Sequence, residues 1–424
     1  MSFSRRNLGK LALAAVGGGL SLGSCARPSA NPATPLRIMA INHVWSRAIS
    51  KRIGEFEQRI GRRVSMSLLT SDQLANSYNV KLNASATDID VMMVRALQEQ
   101  LLFARNGWLT DLTDRVQDPA YQWNDFQDAP RQRSITAGKV LSVPVVTERP
   151  ALYYRKDLTE PPTTLEVLRD TALRLTRDGF FGYVGRGQRA GAVSQWSSFL
   201  YSFGGDFTVE GKSAIATPEA IAAYEYYGSL LERAGPPGAT NMSLEQAMPI
   251  FAQGKAAFYV DADAIYTSFL DPKVSTVKDT IGYAPFPAGP AGSKPYNIPS
   301  WSLAISRFSL LQDHAWEFIR WASGPEMAGQ IQADGIPGAR RSAWRNPASG
   351  AVFPPDLART MQISAATGVS HDRPDVVQVG RARDIVGRPL VAGILGNPVA
   401  PVARDADAEF AAFLARDNSY REAS

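Results

Sequence analysis

Apolar residues in this chain fall into short blocks, and the blocks alternate between two periods. Leu36–Ile41 is a short apolar run suited to a buried strand. Ile49, Ile53, Phe56 and Ile60 then recur at spacings of four, three and four, which is one face of an amphipathic helix, and Gly61 supplies its stop. Val64, Met66 and Leu68 alternate as the next strand. Strand, helix and strand within ~30 residues predict a βαβ unit, hence a parallel sheet with helices on its faces. Residues 89–94 and 96–107 repeat the pattern as strand and helix, and 140–146 and 151–154 predict two more strands. Thr217-Pro218 reads as the N-cap and first position of a helix that carries Ile221, Tyr224 and Leu231 on one side. Strands are expected at 256–260 and 302–305, and a helix at 313–323 with Trp316, Ile319 and Ala322 on a stripe. Gly and Pro cluster at 284–299 and 335–354, the candidate crossings between two lobes. The last seventy residues return to helical patterns without a new motif.

The N-terminus obeys a different logic. Arg5, Arg6 and Lys10 precede an apolar stretch from Leu11 to Leu22, ending in Leu22-Gly23-Ser24-Cys25. A spanning helix needs ~20 apolar residues. This stretch is shorter and Gly17, Gly18 and Gly19 interrupt it, so residues 1–25 read as a removed export signal. Ser4-Arg5-Arg6-Asn7-Leu8 resembles the twin-arginine export motif, and Leu-Gly-Ser-Cys resembles a bacterial lipobox in which Cys25 takes the lipid. Residues 26–35, rich in Pro, Ser and Ala, form an extended tether. The expected location is therefore the periplasm or cell envelope, on a lipid anchor.

Composition narrows the chemistry. At 424 residues, with 45% hydrophobic and 20% charged, the chain is an ordinary globular protein long enough for two lobes. Three of its net +5 charges lie in the export segment, and no Lys/Arg run accompanies the rest, so nucleic acid is not an expected partner. One Cys excludes an internal disulfide framework, and three scattered His (His43, His314, His371) exclude a His-rich metal site. No phosphate loop, zinc-protease, nucleophile-elbow or calcium-loop motif occurs. Gly185-Arg186-Gly187-Gln188-Arg189-Ala190, after a strand-like stretch, has the outline of a dinucleotide fingerprint with Asp206 as its acid. Gly204-Gly205 directly before Asp206 breaks the strand that such an acid requires, so this reading is set aside. Asp261 and Asp263, two apart on a strand, would share a face and could flank a glycosidic bond, which keeps an exported glycoside hydrolase as the alternative.

A spaced series of weak motifs then resembles one family. The series is Asp90-Val91, Gly107-Trp108-Leu109-Thr110-Asp111-Leu112, Val143-Pro144, and Leu152-Tyr153-Tyr154-Arg155-Lys156-Asp157-Leu158. It continues with Phe203-Gly204-Gly205-Asp206, the stretch 251–258, Ser300-Trp301-Ser302-Leu303-Ala304-Ile305, Ala315-Trp316-Glu317-Phe318-Ile319 and Gly335-Ile336-Pro337. In order and spacing these resemble the extracellular solute-binding proteins of family 1, the sugar receptors of ABC importers. The resemblance implies an α/β, two-lobed periplasmic-binding-protein-like fold of type II with a hinge between lobes. Lobe 1 is expected at 36–147 with a return segment at about 296–345, and lobe 2 at 148–295 with a C-terminal helical segment at about 346–424. It further implies a monomeric receptor, with no catalysis, cofactor or metal, that delivers a monosaccharide, polyol or small oligosaccharide to a permease served by a cytoplasmic ATPase.

Sugar hydroxyls call for planar polar side chains, and the C–H faces of the ring call for aromatic plates. By position in the family pattern, Trp301 is the expected plate. Trp45, in the loop Asn42-His43-Val44-Trp45, should border the cleft; Glu148 and Arg149 stand at the first crossing; Trp196, Asp261 and Arg340 complete the set, while Tyr153 and Tyr154 suit hinge and core. Tyr153-Tyr154 also raises a ferric-iron receptor, which the Trp-rich cleft loops disfavour. Arg95 departs from the family pattern. Facing the cleft, it would favour an anionic sugar; paired with Glu99, it is a solvated helix-start charge. Gly185–Arg189 and Gly204-Gly205 also resemble the sugar-alcohol-binding branch.

Overall fold

The computed structural model describes residues 34–422. The export signal, with Arg5, Arg6 and Cys25, and nearly all of the tether lie outside the described residues.

The strands form two main sheets. β1 (Leu36–Ile41), β2 (Val64–Leu69), β3 (Val91–Val94) and β4 (Val143–Glu148) belong to the first, β5 (Pro150–Arg155), β6 (Phe181–Val184), β7 (Ala256–Ala262) and β8 (Ile281–Ala284) to the second, and β9 (Ile298–Ile305) returns to the first. The first sheet has the order β2-β1-β3-β9-β4, with β1 parallel to β2 and β3, and β9 antiparallel to both neighbours. The second has the order β8-β5-β7-β6, with β7 antiparallel to β5 and parallel to β6.

Each sheet has its own core. Residues of β1, β3, β4 and β9 pack with helices 312–323 and 325–333 into one cluster that includes Phe56, Phe103, Trp108 and Trp316. The second sheet separates two clusters by the alternation of a strand. Leu152, Phe258 and Val260 join one side with Trp196, Tyr224 and Phe410, whereas Ala151, Tyr153 and Tyr259 join the other with Phe251, Phe269 and Phe353. The chain crosses between sheets at Arg149, again between β8 and β9, and a third time between Ala339 of the first core and Phe353 of the third.

Local signals explain most element ends. Gly61 closes its helix in the left-handed conformation at φ +62°, and Thr217 caps Pro218–Ala234 through the Ala220 N–H. The stripe Ile49 to Ile60 is not one helix: the chain breaks at Lys51 and Arg52 into Val44–Ser50 and Ile53–Ile60. Ile49 and Phe56 are still fully buried, so the apolar stripe outlasts the break. The helix expected at 96–107 is shortened to Gln100–Arg105, because the Arg95 backbone N–H bonds to the Glu99 carboxylate in a turn that occupies the positions before it. The strand expected over 140–146 is split between a small hairpin at Lys139–Val140 and β4.

Candidate ligand-binding site

On the first lobe, β1 runs out at Asn42-His43. His43 caps Val44–Ser50, its Nδ1 accepting from the Trp45 N–H at 3.3 Å, which leaves Nε2 at 3.5 Å from Glu148 Oε1 at the end of β4. The β9 ladder against β4 slips in register on either side of Trp301. Such an irregularity re-aims a side chain. The Trp301 ring lies 6.2 Å from the His43 ring, tilted by 44°, and the Arg95 guanidinium stands 5.4 Å from its centre. Arg95 is also paired with Glu99, its Nε lying 3.0 and 3.2 Å from the two carboxylate oxygens. Arg95 thus pairs with Glu99 ahead of the helix Gln100–Arg105 and borders the Trp301 ring, a partly buried rather than a solvated charge.

On the second lobe, β6 ends in Gly185-Arg186-Gly187. A side chain at Gly187 would place Cβ 2.2 Å from the Ala239 carbonyl oxygen, so this glycine answers a close backbone approach rather than a phosphate. The turn aims Arg186 at Asp261, which it holds through Nε at 2.9 Å and Nη2 at 2.6 Å. Asp261 also accepts from Gln195 Nε2 (2.9 Å), the Tyr259 hydroxyl (2.5 Å) and the Ala262 N–H (2.7 Å), five donors in all with the Arg186 pair. Burial alone would lower the Arg186 pKa, yet the Asp261 carboxylate it is bonded to holds it well above its ordinary value. Gln195 keeps a buried Oε1 without a hydrogen-bond partner.

The lobes meet beside this cluster. Arg373 of the second lobe is held by Asp372 and donates to Ser194 Oγ at 3.2 Å and, across the gap, to Gln98 Oε1 at 2.8 Å. Burial would raise the Asp372 carboxyl, but Arg373 pulls it down to about 2. Tyr296, on the crossing into β9, is buried, its N–H donating to Ser198 Oγ at 3.2 Å, and burial, reinforced by the carboxylates of Asp261 and Glu148, pushes its phenol well above the ordinary value. At the first crossing, Arg149 and Asp263 form a buried pair (Nε–Oδ2 2.7 Å; 2% and 1% exposed). Burial pushes the Asp263 carboxyl up to about 6 against the opposing pull of Arg149.

Of the residues expected from sequence, Arg95, Glu148 and Trp301 come together around His43 on the first lobe, Asp261 is buried in the Arg186 cluster of the second, and Arg149 stands at the crossing as a clamp between strands. Three belong elsewhere. Trp45 is buried in the first core beside Phe126 and Pro144, because the helix it starts turns it inward. Trp196 is buried against Tyr224, stacked at 4.0 Å and 14°. Arg340 is a buried staple of lobe 1, donating to the Ser323, Gln122 and Tyr121 carbonyls over the Phe126 ring. The Asp261–Asp263 pair is likewise spoken for, since each carboxylate is held by its own arginine. Asp206, the acid of the discarded dinucleotide outline, pairs with His371 at 3.0 Å. Sequence reasoning did not single out Arg186, Gln195, Arg373 or Arg383 as site residues. Arg186 had a signal in its Gly-Arg-Gly turn after a strand; the others lie on helices and loops whose polar positions look like any solvated face. Among the described residues, no cluster of His, Cys, Asp and Glu could hold a metal, and no helix is long and apolar enough to cross a membrane.

The match to known families bears on this site. Residues 44–329 match the family model of the bacterial extracellular solute-binding proteins. The chain belongs to that family. This solute-binding protein is 28% identical over 60% of its length to a probable ABC transporter-binding protein of Deinococcus radiodurans. Identity is again 28% over 60% of the chain to a mannitol-binding protein of Pseudomonas aeruginosa, and 22% over 71% to an erythritol/L-threitol-binding protein of Mycolicibacterium smegmatis. The matches span 63%, 62% and 69% of those relatives' own lengths. Among solved structures, a solute-binding protein of Agrobacterium radiobacter K84 in complex with ribitol superposes with a TM-score of 0.80 at 24% identity, covering 90% of this chain and all of that one. One from Agrobacterium vitis S4 with bound D-mannitol gives 0.78 at 23%, covering 90% and 98%. At these identities the superpositions show the fold: the solute-binding protein has the two-lobed α/β architecture expected of it.

Proposed function

We propose that this solute-binding protein is a receptor for a carbohydrate of monosaccharide or polyol size, which it captures between lobes 36–147 with 296–345 and 148–295 with 346–424. The observation that carries the reading is the site's composition. Planar polar groups in fixed orientations stand on both lobes, Arg186 with Asp261 and Gln195 on one and Arg95 with Glu99 and His43 with Glu148 on the other, where Arg95 and His43 border Trp301, which is 8% exposed. Such groups match vicinal hydroxyls, and an aromatic edge or face matches the carbon chain. Relatives named for mannitol and for erythritol and L-threitol support the same class. Closure around the ligand requires only a higher affinity for the closed arrangement, so the protein acts as a receptor without catalysis. It delivers its ligand to an ABC permease from outside the cytoplasm, exported through the Arg5-Arg6 segment and held by lipid on Cys25.

A thermal-shift panel of monosaccharides, disaccharides, polyols, uronates, amino acids and ferric citrate tests this. A ligand at 100 times its Kd adds about 2.7 kcal/mol. A shift with one neutral or acidic sugar or polyol is the expected result; no shift with any carbohydrate overturns the assignment. Labelling with a radioactive fatty acid, compared between the wild type and Cys25→Ser, tests the anchor.

A further inference from the structure

The charges around the site do not balance. Arg95 has Glu99, Arg149 has Asp263, Arg186 has Asp261, Arg373 has Asp372, and His43 faces Glu148. Arg383, on the helix Val379–Val386, reaches only neutral acceptors. Its Nη1 lies 3.4 Å from Gln98 Oε1 and its Nη2 3.5 Å from Ser194 Oγ, both at the outer limit of a hydrogen bond, and its buried Nε has no partner. The adjacent Asp384 turns away to Arg189 and Arg381. Asp372 is within electrostatic reach but is already held by Arg373, and Arg373, Arg95 and Arg186 all repel the added charge. A half-buried guanidinium left among like charges is costly unless an anion joins it. Two guanidinium groups, from Arg373 and Arg383, converge on one amide oxygen of Gln98 where an anion would be the stronger acceptor. On the same helix as Ser194, the buried Gln195 Oε1 has no hydrogen-bond partner and can accept from a hydroxyl donor.

We infer that the site recognises a polyhydroxylated chain bearing one anionic group, a carboxylate or a phosphate ester, whose charge Arg383 takes with Arg373 while a hydroxyl donates to Gln195 Oε1. This inference rests on the carbohydrate-receptor reading above and narrows it.

Calorimetric titration of the purified protein with matched sets decides it. The sets are ribitol, ribonate and ribitol 5-phosphate, and mannitol, mannonate and mannitol 1-phosphate, with inorganic phosphate alone beside them. In at least one set an anion should bind about tenfold or more tighter than its neutral alditol, the scale of a hydrogen bond to a charged group. Which anion wins distinguishes a carboxylate from a phosphate ester. Arg383→Gln should bring that ratio close to one, while Arg383→Lys should keep part of it. The wild-type comparison stands even if a variant fails to fold. Neutral alditols binding as well as both anions would overturn the inference and leave the receptor reading intact. Binding of inorganic phosphate as tight as that of its esters would overturn the polyhydroxylated part. Binding of neither neutral nor anionic carbohydrate would overturn both readings together.

Discussion

Replacing Asp261 with Asn keeps the shape of the side chain and removes its charge, which isolates what the carboxylate does. Five donors converge on it, three at Oδ1 and two at Oδ2. An amide has one acceptor oxygen. Whichever way the substituted amide turns, its NH₂ group faces at least two donors, and in the better orientation these are Arg186 Nε and the Tyr259 hydroxyl. Hydrogen bonds to a charged partner are worth about 1.5–3 kcal/mol each. Leaving a buried ion without its partner costs about 3–5 kcal/mol. Both routes lead to the same range, so D261N should destabilise the second lobe by about 3–5 kcal/mol. Urea unfolding followed by tryptophan fluorescence measures the change, since Trp196 lies in that lobe's core beside Gln195. The double variant R186M/D261N removes both charges and should recover most of the loss, because the main cost is the orphaned guanidinium. A D261N loss below about 1 kcal/mol, or a double variant that simply adds the two single losses, would refute the reasoning that the Asp261 carboxylate stabilises the fold mainly through its pair with Arg186.

Trp301→Ala should weaken binding of whichever ligand the panel identifies by about 2 kcal/mol, roughly thirtyfold, as loss of a central aromatic contact does; calorimetry showing less than a threefold change would remove Trp301 from the site. Arg340→Ala should lower stability by about 3 kcal/mol, through three carbonyls left without their donor in the first core, and leave ligand affinity unchanged; weakened binding in a folded R340A protein would return Arg340 to the site. Asp263 predicts a pH dependence of definite sign. Its folded pKa of about 6 lies above the ordinary 3.8, so its stabilising protonation is complete below pH 4 and lost as pH rises through 6. The stability of the wild type relative to D263N should therefore rise by up to about 3 kcal/mol from pH 7 to pH 4, and a flat difference in paired melts contradicts it.

Periodicity made the scaffold legible because burial writes itself into apolar spacing: β1, β2 and β3 and the stripe from Ile49 to Phe56 all arise from which positions avoid water. The site was less legible, for a reason visible in Trp45, Trp196 and Arg340. A tryptophan or an arginine near a cleft motif has the same letter whether it faces ligand or core, and the helix after β1 turns Trp45 inward while the same turn aims His43 at Glu148. Arg186 and Arg383 show the complementary failure. Neither breaks an apolar pattern: what sets Arg186 apart is Asp261, 75 positions on, and what sets Arg383 apart is that the distant side chains it reaches, Gln98 and Ser194, carry no charge. Asp261 fixes the first; no acid fixes the second. That difference exists only once β6, β7 and the C-terminal helices are assembled, because it is a matter of tertiary charge pairing. A sequence search tuned to motifs will find the fold of such a protein and miss its ligand. Mapping which charges in the assembled site lack an opposite narrows the ligand further than any single motif can, because an uncompensated guanidinium constrains the chemistry of whatever completes it.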